Sequence, residues 1–96
     1  MAKQVRAHAV ISGKVQGVFF RMETQRTARH LGVTGWVRNT FEGTVEAVFE
    51  GDEGCVNSVL DWCRHGPPHA HVHHVEVFRE SYTGEFDSFD IRYDAF

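Results

Sequence analysis

A glycine-bearing segment near the N-terminus holds the residues best suited to binding an anion. Residues 13–21 read Gly-Lys-Val-Gln-Gly-Val-Phe-Phe-Arg and lead into a segment with the pattern of a helix. Unpaired N–H groups at a helix start, together with the helix dipole, attract negative charge. A turn of successive N–H groups can form a concave nest, and Arg21 adds a planar fork that suits phosphate. These residues alone are equally compatible with an ordinary loop and a solvated arginine.

Two familiar kinds of phosphate site do not fit the spacing of this segment. A P-loop needs an earlier glycine, where this chain has His8, and a serine or threonine after the lysine, where it has Val15. A cysteine phosphatase needs an arginine closing the loop that follows its thiolate. Six residues after the two cysteines stand Asp61 and His69. The chain therefore has neither a P-loop nor a catalytic cysteine loop.

Hydrophobic periodicity predicts the elements that must position these residues. Period-two alternation and β-rich composition predict strands over 5–12, 34–39, 44–50 and 72–79, and also allow a short strand over 88–93. Stripes at helical spacing predict helices over 21–31 and 53–64. The order β-α-β-β-α-β predicts an α+β, ferredoxin-like split βαβ sandwich, an antiparallel sheet with two helices on one face. We expect a single domain covering residues 1–96.

The predicted topology brings distant residues to one edge of the sheet. The first strand ends at the glycine-bearing loop, and the second strand runs parallel to the first and ends at Asn39. Asn39 and Arg21 should therefore lie at the same edge, with Thr40 and Thr44 of the following hairpin beside them.

Composition excludes several classes of function. The chain has 96 residues and a formal net charge of −3, which is unsuited to general nucleic-acid binding. No stretch approaches the roughly 20 apolar residues of a membrane span, and the first residues lack the apolar run of a signal peptide. Cys55 and Cys63 would lie about 12 Å apart in one helix, beyond disulfide range. We expect both thiols to be core packing and the protein to be cytoplasmic.

Two long motifs resemble those of the acylphosphatases. Residues 13–21 are similar to the family signature G-x-V-Q-G-V-x-F-R, and Gly-Trp-Val-Arg-Asn at 35–39 with Gly-Thr-Val-Glu at 43–46 is similar to the second signature. The segments Gly-Pro-Pro at 66–68 and Phe-Asp-Ile-Arg at 89–92 also resemble the family, so the likeness covers about 5–93. One departure is Glu42-Gly43 in the hairpin, where family members often carry Asp-Gly.

The resemblance implies an activity and a role for each matched residue. The activity is metal-free, cofactor-free hydrolysis of an acyl phosphate to a carboxylate and inorganic phosphate, which would also act as a competitive inhibitor. Arg21 would bind the phosphoryl oxygens, Asn39 would hold the attacking water, and Thr44 would orient Asn39 or the water. Backbone N–H groups would complete the phosphate cradle, and they belong to Val15, Gln16, Gly17, Val18, Phe19 and Phe20. The expected partner is a small acyl phosphate, bound by a monomer that engages neither nucleic acid nor membrane.

Other conspicuous residues are interpreted as structural. Five histidines cluster at His65, His69, His71, His73 and His74 without a framing cysteine or carboxylate, so we expect solvated surface rather than a metal site. Phe19 and Phe20 are predicted to anchor the loop by packing.

Two rival functions share the predicted topology. An RNA-recognition domain needs an aromatic and basic third strand, whereas residues 44–50 are acidic. The second rival is an acylphosphatase-like domain serving inside a larger maturation protein, as in hydrogenase assembly factors. The physiological substrate stays open among 1,3-bisphosphoglycerate, carbamoyl phosphate and acetyl phosphate.

Overall fold

A computed structural model describes residues 3–93, which form a five-stranded mixed sheet with two helices. The elements in chain order are β1 (Gln4–Lys14), α1 (Phe20–His30), β2 (Thr34–Asn39), β3 (Val45–Asp52), α2 (Glu53–Cys63), β4 (His71–Glu80) and β5 (Phe89–Ile91). The strand order in the sheet is β4-β1-β3-β2-β5. The first four strands pair antiparallel, which confirms the predicted ferredoxin-like fold, and β5 adds a parallel pair at the β2 edge.

The core lies between the sheet and the helices, where the predicted stripes meet. One set of alternate side chains from β1 and β3 is buried, as are the inner faces of α1 and α2. The buried residues of these stripes include Ala7, Ala9, Ile11, Thr24, Ala28, Ala47, Phe49, Val56, Leu60 and Cys63. At the start of α2, the Asp52 carboxylate accepts a hydrogen bond from the Cys55 N–H and caps the helix. Neither helix in residues 3–93 is long and apolar enough to span a membrane.

β1 is longer than its hydrophobic alternation predicts. Gly13 and Lys14 pair with Val72 and His71 of β4 after a shift in register, so two residues of the predicted loop belong to the strand. A Cβ atom at Gly13 would overlap the His71 carbonyl oxygen, which is why a glycine stands there. The free loop before α1 is therefore shorter than predicted, and it spans residues 15–19.

The opposite side of the sheet carries ion pairs instead of helices. We call it the charged face, and its members are Arg6, His8, Arg38, Glu46, Glu50 and Glu80. Glu46 accepts hydrogen bonds from Arg38 at 2.7 Å and pairs with His8 at 2.6 Å. The fully buried Glu50 carboxylate accepts from Arg6 at 3.1 Å. A polar network thus replaces a second apolar layer on this face.

Glu50 also anchors the segment between β4 and β5. Its carboxylate accepts hydrogen bonds from the Thr83 N–H and hydroxyl, each at 2.9 Å, and from the Gly84 N–H at 3.0 Å. Phe89 then enters the core and stacks on Phe49, with ring centroids 5.4 Å apart. Because β5 runs parallel to β2, the chain after it arrives at the sheet edge where Asn39 lies.

Candidate active site

A cavity of about 270 Å³ opens at the sheet edge where β2 ends and α1 begins. The loop and the start of α1 line it, together with the end of β2 and the chain after β5. The lining residues are Val15, Gly17, Phe19, Phe20, Arg21, Met22, Asn39, Ile91 and Tyr93. Arg21 and Asn39, predicted to share one edge, thus share one cavity.

The loop backbone presents the start of α1 to this cavity. Gly17 and Phe19 adopt left-handed conformations, with φ of 75° and 65°. Phe19 is the N-cap residue of α1, and no side chain caps the helix. The N–H groups of the first turn are therefore left for a ligand, and the helix dipole favours an anion beside them.

The Arg21 guanidinium is placed to add positive charge to this helix start. Within residues 3–93 no carboxylate lies in ion-pair range of Arg21. Its only described ring partner is Tyr93, whose centroid lies 5.2 Å from Cζ. The stacked ring restrains the guanidinium without neutralising it, so its N–H groups can bind an anion.

The Asn39 side chain has an unsatisfied acceptor. Its Oδ1 atom is buried and receives no hydrogen bond from residues 3–93. Burying an acceptor without a partner costs about 1–3 kcal/mol, so such atoms are rare outside functional sites. The Asn39 residue itself belongs to the lining of the cavity.

The hairpin after Asn39 is tied to the loop by Gln16. The Gln16 side-chain amide donates to the Thr40 and Thr44 carbonyl oxygens, each at 2.9 Å. The hydroxyls of Thr40 and Thr44 pair at 2.6 Å. Thr44 is not among the described residues that line the cavity, so its side chain supports the hairpin in this structure. Sequence reasoning missed the Gln16 side chain, because its partners are backbone carbonyls far along the chain.

The two phenylalanines before Arg21 have different positions. Phe20 is 2% exposed and packs on Trp62, as predicted for a packing anchor. The same prediction is wrong for Phe19, which is 67% exposed, because the left-handed N-cap turns its ring away from the core. Met22, Ile91 and Tyr93 also line the cavity and were not predicted. Tyr93 follows the last strand, where no motif marked it.

Titratable groups with shifted pKa values lie away from this cavity. Burial raises the pKa of the Cys63 thiol to about 12, which fits a packing role and keeps it protonated. The five clustered histidines are all exposed, and Cys55 is half-buried against the core. Among residues 3–93 no group of three or more histidine, cysteine or carboxylate side chains is placed to hold a metal ion.

The fold and the cavity define a small α+β protein with an anion-binding helix start. Comparison with known proteins then identifies its family. The chain belongs to the acylphosphatase family, whose model matches residues 7–91. Members of this family are hydrolases acting on acid anhydrides.

Individual relatives match over nearly the whole chain. An acylphosphatase of Syntrophus aciditrophicus is 57% identical over 89 residues, 93% of each chain. One of Pelotomaculum thermopropionicum is 56% identical over 90 residues, 94% of this chain and 98% of the relative. The solved structure of an acylphosphatase from Coxiella burnetii has a TM-score of 0.88 at 36% identity, covering 93% of each chain. The predicted fold and family are confirmed.

Proposed function

We propose that this chain hydrolyses the carboxyl–phosphate bond of acyl phosphates without a metal ion or cofactor. The products are a carboxylate and inorganic phosphate. The observation that carries the proposal is that Arg21 and Asn39, whose Oδ1 atom is unsatisfied, line one cavity at the uncapped start of α1.

Arg21 and the loop backbone bind the phosphoryl group in this proposal. The guanidinium fork pairs with two phosphoryl oxygens, and the N–H groups of residues 15–20 surround the remaining charge. Phosphoryl transfer depends mainly on positioning and on stabilising charge spread over these oxygens. Inorganic phosphate has the same oxygens, so it competes with the substrate.

Asn39 holds the nucleophile in this proposal. Its Oδ1 atom accepts a hydrogen bond from a water molecule and turns a lone pair of that water toward phosphorus. The cavity lining in residues 3–93 contains no carboxylate or imidazole that could act as a general base. A phosphoryl oxygen of the substrate accepts the water proton instead. The leaving carboxylate, whose conjugate acid has a pKa of about 4, needs no proton donor.

Supporting features complete the proposal. Thr44 helps to orient Asn39 through the hairpin, where its hydroxyl pairs with that of Thr40. The two free thiols, Cys55 and Cys63, favour a reducing, cytoplasmic setting. We expect the active form to be a monomer.

The test measures release of inorganic phosphate from acetyl phosphate in excess EDTA, with methyl phosphate as the comparison. We expect hydrolysis of acetyl phosphate only, because an alkoxide leaving group needs a proton donor.

Arg21→Lys should lower kcat/KM at least about 100-fold and weaken inhibition by phosphate, since a point charge does not replace the fork. Arg26→Lys on the same helix is the matched control, and it should change neither kcat/KM nor the inhibition by phosphate. Activity that disappears with EDTA and returns with zinc would contradict the metal-free mechanism.

A further inference from the structure

A second groove adjoins the proposed phosphate cavity and is predominantly apolar. It lies between the start of α1 and the turn before β4, and it has a volume of about 330 Å³. Val18, Phe19 and Met22 form one wall, and Pro67 and Pro68 form the other. We call it the acyl groove. Phe19 and Met22 line both the acyl groove and the phosphate cavity, so the two are continuous.

The residues shared by the two sites are exposed apolar side chains. Met22 is 50% exposed, and Phe19 is more exposed still. Phe19 is also the only non-glycine residue with positive φ in residues 3–93. This backbone conformation is unfavourable for a residue with a Cβ atom, and such strain tends to occur at functional sites. Packing does not explain the positive φ of Phe19, because the Phe19 ring faces solvent rather than the core.

The in-line geometry of phosphoryl transfer is compatible with a leaving group that points into this groove. The attacking water and the leaving oxygen stand roughly in line on opposite sides of phosphorus. Asn39, the proposed water holder, lines the phosphate cavity but not the acyl groove. Phe19 and Met22 belong to both linings, so a leaving group that points away from Asn39 can enter the acyl groove past these two side chains.

We propose that the acyl groove binds the acyl group of the substrate and selects uncharged, apolar acyl phosphates. This inference rests on the proposed function, since it assumes that phosphate occupies the cavity beside Arg21. The apolar walls would bury part of an aliphatic chain or aromatic ring. Two polar residues, Glu23 and His69, also line the groove. The described cation partner of Glu23, Arg26, is a surface residue 3.7 Å away. An acyl group with a second anionic end would meet the Glu23 carboxylate.

The test compares kcat/KM for acetyl, hexanoyl and adipoyl phosphate. Hexanoyl phosphate adds four methylenes to acetyl phosphate, and adipoyl phosphate has the same chain length with a terminal carboxylate. We expect hexanoyl phosphate to exceed acetyl phosphate by about tenfold, since partial burial of its chain contributes to binding. The kcat/KM for adipoyl phosphate should be at least about tenfold lower than that for hexanoyl phosphate. In Glu23→Gln the difference between these two kcat/KM values should be smaller.

Variants of the groove residues test which side chains produce the preference for hexanoyl over acetyl phosphate. Met22→Ser and Pro68→Ser should each lower the ratio of hexanoyl to acetyl kcat/KM by about threefold. Phe78→Ser removes an exposed ring on the charged face, outside both sites, and should leave the ratio unchanged. The inhibition constant of inorganic phosphate, measured on each variant, reports on the phosphate cavity separately.

The outcomes distinguish this inference from the function on which it rests. A parent protein that hydrolyses acetyl and hexanoyl phosphate with equal kcat/KM overturns the acyl groove and leaves the proposed function standing. The groove is also overturned if Tyr93→Ser, rather than Met22→Ser, abolishes the preference, because the acyl group then lies on the β5 side. A parent that hydrolyses none of the three compounds overturns both.

Discussion

The Asn39 side chain combines two properties that conflict in a purely structural residue. Its Oδ1 atom is buried, yet residues 3–93 supply no donor to it. We expect Asn39→Ala to lower kcat about 10²- to 10³-fold, the usual effect of removing one positioned polar group. Inorganic phosphate should inhibit the variant as well as it inhibits the parent, because Arg21 and the loop are untouched. The variant should be as stable as the parent or more so, since it loses an unsatisfied acceptor.

Steady-state kinetics, phosphate inhibition and thermal unfolding of the same Asn39→Ala sample check this prediction. Loss of turnover with unchanged inhibition and stability identifies a residue that acts on the nucleophile. A proportional loss of phosphate binding and turnover would show instead that Asn39 contacts the phosphoryl group.

Residue types and spacing were sufficient to predict Arg21 and Asn39 as neighbours. The topology of β1, α1 and β2 places both at one edge, and the structure confirms that they line one cavity. The exposure of Phe19 could not be predicted, because it depends on a left-handed N-cap that sequence patterns do not signal for phenylalanine. Tyr93 was missed because its position depends on β5 pairing parallel to β2.

At the scale of elements, the Gln16 amide joins the loop to the hairpin that carries Asn39. It donates to two hairpin carbonyls. In Gln16→Glu a carboxylate would face both oxygens, so we expect kcat to fall about tenfold at neutral pH. Once protonated, the introduced carboxyl group can donate to one carbonyl again, and the two oxygens should raise its pKa. Relative kcat should therefore recover in part as the pH falls toward about 5.

Gln16→Leu is the matched control for this pH dependence. It removes both hydrogen bonds without adding a titratable group, so its kcat relative to the parent should be low and independent of pH. The pH profiles of kcat for the three proteins make the comparison. A Gln16→Glu profile parallel to that of Gln16→Leu would show that the tether does not control the position of Asn39.

The elements themselves were largely predictable from hydrophobic period, whereas their connections were not. β2 was predicted with its observed bounds, and both helices to within a residue at each end. The extra length of β1 arises from pairing with β4 beyond a register shift, which is a property of the partner strand. The segment before β5 depends on the buried Glu50 carboxylate, whose donors Thr83 and Gly84 lie more than 30 residues away along the chain. Such long-range side-chain contacts have no local sequence signal.

At the scale of the whole molecule, the sheet separates two kinds of stabilisation. Its helix side buries the apolar core, and its charged face holds carboxylates in ion pairs. Burial of the Glu50 carboxylate favours its protonated form and raises its pKa. Hydrogen bonds from Thr83, Arg6 and Gly84 outweigh this effect, so the pKa of Glu50 is lowered on balance. Burial likewise opposes the ionised form of Glu46, yet His8 and Arg38 hold its pKa below the ordinary value. Hydrogen bonding from Arg6 lowers the pKa of Glu80.

These lowered pKa values predict how the free energy of unfolding depends on pH. A carboxylate with a lower pKa in the folded state stabilises the fold above its unfolded pKa, about 4.3 for glutamate. That stabilisation is lost as the pH falls through the folded pKa. Stability should therefore be full near pH 7 and decline steeply below about pH 4.

Glu50→Gln isolates one of these contributions. The amide accepts with only one oxygen and turns a donor toward Thr83, Gly84 or Arg6, so we expect a loss of about 1.5–3 kcal/mol at pH 7. The difference between variant and parent should shrink at pH 3, because this lies below the unfolded pKa of glutamate, about 4.3, where the lowered pKa of Glu50 contributes less to stability. Urea unfolding at both pH values measures this difference. Glu76→Gln is the matched control, because Glu76 is exposed and makes no ion pair with residues 3–93. A Glu50→Gln deficit that stays constant between pH 7 and pH 3 would mean that ionisation of Glu50 does not hold the 81–88 segment to the sheet.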